Sequence, residues 1–315
     1  MPLLRFVGRR LALLGVVLLL VSALIFGVVQ ILPGDVATMI LGTYATPGDL
    51  AALRQTLGLT RPALLRYLDW ITGALRGDWG TSLLYRVPVR PLVLDRLSRS
   101  AFLAVIALAV AVPLAIALGV VSAWYRHRFV DHTIGTATLI AVSLPEFVTG
   151  TAMILLFAFR LRLLPPSSLV DPRAGLLKAG PSLVLPVLTL VLVSLAHMTR
   201  MTRANMIEIM ERPFVRAARL RGLRPRRVLL AHALRNAMLP TIGIVALNIG
   251  FAIGGLVVVE TVFAYPGLGR LLVDSINHRD VPVIQMAAMV VAAAYALANL
   301  AADIAYAYLD PRIRY

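Results

Sequence analysis

Acidic side chains inside apolar stretches are the residues of this 315-residue chain best placed to do chemistry. Glu146 lies within one long apolar run, and Glu260 and Asp303 lie near the ends of two others. Ionisable groups in such positions are costly, and they usually face a protein interior or a water-filled path. We expect Glu146, with the uncharged Asn248 and Gln285, to line a path for a polar solute, hydrogen bonding between helices being the alternative. For Glu260 and Asp303 we favour a structural role.

A dense arginine cluster is the second chemical feature. Ten arginines and only two acids lie between Arg200 and Arg235. Pro213 suits a first helical position, so a short helix is predicted over Phe214–Arg221. Gly222 follows where a helix would end in a left-handed residue, and Pro225 can open a second helix. The sequence therefore predicts a helix, a glycine hinge and a second helix.

Six apolar runs must position these residues. With 59% apolar residues, the chain is not an ordinary soluble protein. A helix of about 20 apolar residues crosses the ~30 Å hydrocarbon core of a bilayer. We therefore predict an all-α polytopic membrane protein with six transmembrane helices. The runs are Leu11–Leu32, Ala101–Trp124, Ile134–Phe159, Leu183–Thr199, Thr241–Val262 and Val283–Tyr308. The fourth is short, and a proline near its start is expected to bend it.

The segment Pro33–Arg99 is polar and rich in turn residues, which indicates an extramembrane loop. Ala51–Leu59 and Ala63–Leu75 are predicted to form short amphipathic helices within it. The predicted organisation is a cytoplasmic end with the first span (1–32), this external loop (33–99), and a five-helix core (100–315) that includes the cytoplasmic loop 200–239.

The distribution of basic residues predicts the orientation. Six spans place both termini on one side of the membrane. Seventeen of the 31 lysines and arginines lie on the face that carries the termini and the arginine cluster, and six lie in the short loops opposite. Because cytoplasmic loops carry the excess of basic residues, both termini and the arginine cluster are predicted to be cytoplasmic.

Several kinds of catalytic chemistry find no support in the sequence. ATP hydrolysis needs G-x-x-x-x-G-K-[ST], but the only lysine, Lys178, is followed by Ala179. The chain has no cysteine, and its five histidines lack ligand-like spacing. His127 and His132 are interpreted as ordinary polarity at a membrane edge. We therefore expect neither enzymatic activity nor a cofactor or metal in this chain.

The cytoplasmic segment resembles that of a known family. Ala217-Ala218, Gly222 and Leu239-Pro240 are similar to the ATPase-docking loop of ABC importer permeases. Arg216 stands where the general pattern has Glu, which is similar to the branch that imports peptides and nickel. Other stretches resembling that branch are Leu32–Asp35, Leu57–Leu59, Gly77–Ser82, Val258–Arg270, Asn277–Gln285 and Leu309–Tyr315.

The resemblance implies a type I ABC importer permease fold in a bacterial inner membrane. Implied partners are a second homologous permease subunit, two ABC ATPase subunits that bind ATP and Mg, an extracytoplasmic substrate-binding protein and membrane lipid, but no nucleic acid. The residues implied to couple to the ATPase are Phe214, Arg216, Ala217, Ala218, Arg219, Arg221 and Gly222.

The resemblance implies import of short peptides, related amide-rich solutes or nickel, and of these we predict di- or oligopeptides. Direct passage of bare nickel would favour imidazole or thiolate ligands, and only His197 lies in a predicted span. A nickel chelate or another small solute of the same branch stays open. A self-contained secondary carrier would be expected to show paired intramembrane charges or interrupted helices in matching halves. A structural membrane anchor gives no reason for the helix-glycine-helix segment.

Overall fold

The computed structural model describes residues 2–31, 45–56, 60–169, 176–238 and 254–309. Its regular structure in these ranges is helical, apart from one isolated antiparallel bridge between Thr81 and Pro88. The chain divides into two compact units. The first consists of Leu3–Ser100 and Pro266–Ala296, and the second of Ala101–Tyr265 and Leu297–Tyr315.

The helices of the first half are α1 (Pro2–Ile31), α2 (Pro47–Thr56), α3 (Ala63–Arg76), α4 (Val89–Trp124), α5 (Phe129–Ser143) and α6 (Glu146–Met153), which continues as a π-helix over Ile154–Arg160. Those of the second half are α7 (Leu176–Met210), α8 (Pro213–Leu220), α9 (Pro225–Arg227), which continues as a π-helix over Val228–Ala233 and as an α-helix over 234–238, α10 (254–262), α11 (Leu268–Asn277) and α12 (Val281–Leu309).

Four helices of the described ranges are long and apolar enough to cross a membrane: Val7–Ile31, Val89–Trp124, Gly180–Met210 and Val281–Ala301. α5 and α6 with its π-helical continuation are together also long and apolar enough, although they meet at an angle of 104°. The predicted span Thr241–Val262 lies mostly outside the described residues, which include only its last part, 254–262. The all-α polytopic class is thus confirmed, and the count of six spans stays a prediction.

The second predicted span begins earlier than expected. α4 starts at Val89 rather than at Ala101 and has 36 residues, a length of about 54 Å that exceeds the ~30 Å hydrocarbon core. Val89 and Val93 at its start are fully buried and pack with Leu268 of α11 and Val283 of α12. Part of the predicted external loop is therefore a helix, because an apolar cluster holds those turns in the first unit.

The third and fourth predicted spans also differ from the structure. The run Ile134–Phe159 is not one helix, because Leu144 is extended (φ −91°, ψ 127°) between α5 and α6. A residue before proline is pushed out of the α region, and here Pro145 follows. The fourth span is not short: α7 has 35 residues and contains both Pro181 and Pro186.

The core of the second unit is built on a stripe of buried residues along α4. Leu103 and the small residues Ala107, Ala111 and Ala115 follow at intervals of four and are buried together with Leu185 of α7. One turn further on, a Cβ built on Gly119 would lie 2.6 Å from the Cβ of Thr202. Small residues allow two helix backbones to approach closely, so only glycine fits α4 at this contact with α7.

In the first unit, α3 packs against the second half of α1. The hydroxyl groups of Ser22 and Tyr67 lie 2.8 Å apart and share a hydrogen bond. The ring of Phe26 makes an edge contact with Tyr67, with centroids 5.5 Å apart, and stacks on Trp70 at 6.2 Å. The predicted amphipathic helix Ala63–Leu75 is therefore present, and its aromatic face covers α1.

Candidate functional site

The arginine cluster forms the predicted helix, and this helix has a buried face and an exposed face. α8 spans Pro213–Leu220, and its side chains Val215 and Ala218 are 0% and 8% exposed. The residues expected to contact an ATPase separate accordingly. Phe214, Arg216, Ala217, Arg219 and Arg221 are exposed, whereas Ala218 points into the chain's own core.

The C-terminus of α8 closes with a pair of hydrogen bonds. The Gly222 amide donates to the Arg219 carbonyl (3.0 Å), and the Leu223 amide donates to the Ala218 carbonyl (3.4 Å). This 5→2 and 6→1 pattern is the Schellman motif, which requires a left-handed residue after the helix. Gly222 has φ +76°, as predicted from the sequence. The turn thus depends on its glycine.

The buried face of α8 packs against the elements around it. Val215 and Ala218 pack with Val228, Leu229 and Ala233 of the following π-helix. The same cluster contains Met206 of α7 and Val120 and Ala123 of α4. An ion pair from Arg126 to Glu211 (2.6 Å) joins the turn after α4 to the end of α7. Within the second unit, α8 is therefore packed against α7 and the last part of α4.

The exposed face of α8 is strongly basic. Within the described residues, Arg216 and Arg221 make no ion pair, and the acids nearest in sequence are engaged elsewhere. Glu211 pairs with Arg126 and Glu208 with Arg212. Arg216 and Arg221 therefore leave positive charge on this face that no acid in the described ranges pairs with.

Glu146 lies at the bend between α5 and α6, in the first turn of α6. Its side chain is half-buried and rests against α10: a Cβ built on Gly255 would lie 2.8 Å from Oε1 of Glu146. Further along α6, a Cβ on Gly150 would lie 3.2 Å from the Phe263 ring. Two glycines, one on each helix, thus allow α6 and α10 to meet and bring the carboxylate of Glu146 against the backbone of α10.

The structure describes only one of the other two predicted path residues. Gln285, on α12 in the first unit, is buried at 6% exposed. Asn248 lies outside the described residues. Glu260 is fully buried near the end of α10, consistent with the structural role favoured for it.

Sequence reasoning missed an ion pair in the second unit. Asp131 of α5 is buried, and its carboxylate accepts hydrogen bonds from Nε and an NH₂ nitrogen of Arg203 at 2.6 and 2.7 Å. The Ser122 hydroxyl (2.5 Å) and the His127 amide (2.9 Å) also donate to it. These bonds join α4, α5 and α7 at one point. The opposite charges of Asp131 and Arg203 are the only sequence signal for this pair, and they do not show that the two positions lie together.

A second missed network joins two of the motifs noted in the sequence. Asp280, fully buried, accepts hydrogen bonds from the Ser82 hydroxyl and from the amides of Leu83 and Leu84 at 3.2 and 3.1 Å. The turn that it holds exposes Tyr85. Partial burial and, to a smaller extent, the carboxylate of Asp274 raise the pKa of the Tyr85 phenol above its usual value.

Comparison with known proteins identifies the family. Residues 115–315 match the model of the binding-protein-dependent transport system inner membrane component, and residues 3–90 match that of its N-terminal part. The chain belongs to this family. It is 36% identical to a probable peptide ABC transporter permease protein of Sinorhizobium fredii, over 98% of this chain and 99% of the relative. It is also 36% identical to glutathione transport system permease proteins of Escherichia coli strain K12 and Salmonella typhi, over 99% of each chain.

Family membership explains the main features of the molecule. The permease belongs to a family of inner membrane components of ABC transporters, and four of its described helices have the length and composition to cross a membrane. Its family is one of transport proteins rather than enzymes, and its transport system includes ATPase and substrate-binding partners.

Proposed function

We propose that this permease forms half of the translocation path of an ATP-driven importer of di- or oligopeptides. The observation that carries this assignment is the full-length similarity to permeases named for peptide and glutathione transport. Glutathione is itself a tripeptide, so both names indicate peptide-like solutes. The other half of the path comes from a second, homologous permease, and two ATPase subunits and an extracytoplasmic binding protein complete the complex.

The segment around α8 is the proposed docking site for an ATPase subunit. Its exposed face carries Arg216, Ala217 and Arg219, together with Phe214, whose large apolar side chain is 43% exposed. A basic and partly apolar helix suits an acidic groove with an apolar floor. Because α8 is packed on α4 and α7, closure of the ATPases would shift an equilibrium between two arrangements of the spans. Gly222 belongs to the proposed docking site because its left-handed conformation ends α8 and forms the hinge after it.

The proposed substrate path includes Glu146, Asn248 and Gln285. A half-buried carboxylate at the bend between α5 and α6 can attract the amino terminus of a peptide. Weak polar contacts suit transport, because a substrate held tightly would not leave. Gln285 would need to become accessible in another conformational state, since it is buried here.

We also propose that both termini and α8 lie in the cytoplasm. The count of basic residues supports this orientation. Reporter fusions after Gly180 should then report the outside, and fusions after Gly222 the cytoplasm. The first 32 residues would hold the first span, 33–99 the external segment, and 100–315 the core with its cytoplasmic segment 200–239. α4 already begins inside the external segment, at Val89.

Substrate uptake by the complete complex tests the substrate class. Vesicles containing both permeases and the ATPases, with the binding protein outside, would be offered labelled di-, tri- and pentapeptides, glutathione, and free or chelated nickel. ATP-dependent accumulation of peptides is expected. A complex whose ATPase subunits cannot hydrolyse ATP is the control. Nickel uptake without peptide uptake would contradict the peptide assignment, and uptake without ATPase activity would favour a secondary carrier.

A further inference from the structure

A groove lined by both polar and apolar side chains lies between α5 and α7, outside the proposed docking site and path. Its volume is about 620 Å³, within the range of ligand-binding sites in proteins. Each helix contributes a stripe of residues at spacings of three and four. The stripes include His132, Thr136 and Leu139 on α5 and His197, Arg200 and Met201 on α7. A Cβ built on Gly135, which also lines the groove, meets no atom within 4 Å, so the groove is open along α5.

The groove carries a net positive charge that no acid in the described ranges neutralises. Asp131 is the acid that lines it, and both of its carboxylate oxygens already accept hydrogen bonds from Arg203. The Ser122 hydroxyl and the His127 amide also donate hydrogen bonds to the Asp131 carboxylate. In the described part of the chain, no acidic side chain lies within ion-pair distance of Arg200. A planar guanidinium in this position is suited to a phosphate group.

The groove lies at the level where the apolar stretches of both helices end. His132 comes just before the apolar run of α5, and Arg200 comes directly after the run Leu183–Thr199 of α7. From the polar end of the groove, exposed Leu139 and Ile140 continue along α5. A ligand with an anionic head and an apolar tail would match this change from polar to apolar surface.

We propose that the groove binds the phosphate headgroup of an anionic phospholipid of the cytoplasmic leaflet, with Arg200 as the phosphate ligand and Leu139 beside the acyl chains. Basic pockets between transmembrane helices on the cytoplasmic side are suited to such headgroups. The leaflet assignment rests on the proposed orientation of the permease. A lipid bound here would brace α5 against α7 next to the Asp131–Arg203 ion pair.

Lipid titration of the purified complex tests this site. The delipidated complex in detergent would be titrated with phosphatidylglycerol or phosphatidylcholine, and bound lipids would be counted by native mass spectrometry. The variants are Arg200→Gln, Arg200→Lys and the matched control Arg128→Gln. Arg128 is exposed and lies in the turn before α5, but it does not line the groove. Thermal unfolding of each variant would show that the fold is intact.

Phosphatidylglycerol is expected to bind the wild type more tightly than phosphatidylcholine. Arg200→Gln should weaken phosphatidylglycerol binding about fivefold, since one arginine near an anionic lipid is worth roughly that factor, whereas Arg200→Lys should retain most of the affinity. Arg128→Gln should change it less than twofold if the groove, rather than general charge, binds the lipid.

Three results would overturn the proposal. Equal losses of lipid affinity in Arg200→Gln and Arg128→Gln would indicate a diffuse electrostatic effect. Equal affinity for the two lipids would show that binding does not depend on an anionic headgroup. Displacement of the lipid by inorganic phosphate at equal concentration would assign the groove to a soluble anion. Lipid binding is measured without nucleotide or peptide, so failure here leaves the transport proposal untouched.

Discussion

The hydroxyl of Ser82 donates a hydrogen bond to Oδ2 of Asp280, 198 positions further along the chain. The same carboxylate accepts the backbone amides of Leu83 and Leu84. Asp280 immediately precedes α12, and Ser82 lies in the short turn before α4. A single buried carboxylate thereby connects the starts of two membrane-spanning helices within the first unit.

Replacing this carboxylate should destabilise the first unit. Asp280→Ala leaves three donors without their acceptor, at a cost of about 1–3 kcal/mol for each donor that stays buried. Thermal unfolding of the purified protein in detergent measures the loss. The control is Asp69→Ala, because Asp69 forms an exposed ion pair with Arg61 that is worth less than about 1 kcal/mol. Similar melting temperatures for both variants would contradict the role given to Asp280.

The two adjacent alanines of α8 should respond differently to a bulky side chain. Ala217 is exposed, so Ala217→Trp is expected to leave thermal unfolding unchanged but to reduce ATPase co-purification and peptide uptake. Ala218 is 8% exposed, so Ala218→Trp should overpack the core and cost at least roughly 1–3 kcal/mol. Normal ATPase binding and uptake by Ala217→Trp would place the docking site elsewhere.

Gly222 should be sensitive to substitution only because of its backbone conformation. A Cβ there meets no atom within 4 Å, yet its φ of +76° costs other residues about 1–2 kcal/mol. Gly222→Ala should therefore accelerate amide hydrogen exchange over 213–223, and Gly222→Asn should do so less. The matched control is Gly180→Ala, because Gly180 has equally open space but lies within α7. Unchanged exchange in Gly222→Ala would argue against the Schellman motif.

The Asp131–Arg203 pair should show strong energetic coupling. Removing one partner of a fully buried pair costs roughly 3–5 kcal/mol, and a smaller loss is expected here because the Arg203 side chain is 32% exposed. In a double-mutant cycle, Asp131→Ala and Arg203→Ala should each lower the free energy of unfolding. The loss in the double variant should be smaller than the sum of the two single losses. Additive losses in thermal unfolding would show that the pair contributes little.

The charge of Glu146 should affect transport rather than folding. Glu146→Gln is expected to reduce uptake of peptides with a free amino terminus about two- to fivefold, the value of an ion pair in a hydrated setting. N-acetylated peptides serve as the control substrates and should be unaffected. Gly255→Ala should act similarly, since its Cβ would lie 2.8 Å from Oε1 of Glu146 and displace the carboxylate. Equal reductions in the uptake of both kinds of peptide would show that Glu146 does not contact the amino terminus of the substrate.

Much of the local structure could be predicted from the sequence. The first turn of α8 at Pro213, the left-handed Gly222 and the helix opened by Pro225 all follow from interactions within four or five residues. The apolar runs determine the membrane class because about 20 such residues cross the hydrocarbon core. The bend before Glu146 has a local cause, because Pro145 pushes Leu144 out of the α region, but the apolar run Ile134–Phe159 by itself predicted one continuous span.

The tertiary structure alone decided how these pieces meet. The start of α4 at Val89 depends on an apolar cluster with α11 and α12, and the inward direction of Ala218 depends on the helices beneath it. The Ser82–Asp280 and Asp131–Arg203 contacts join positions 198 and 72 residues apart. A single sequence contains local periodicity but no record of distant partners, so these contacts follow from packing and hydrogen-bond satisfaction in the folded chain.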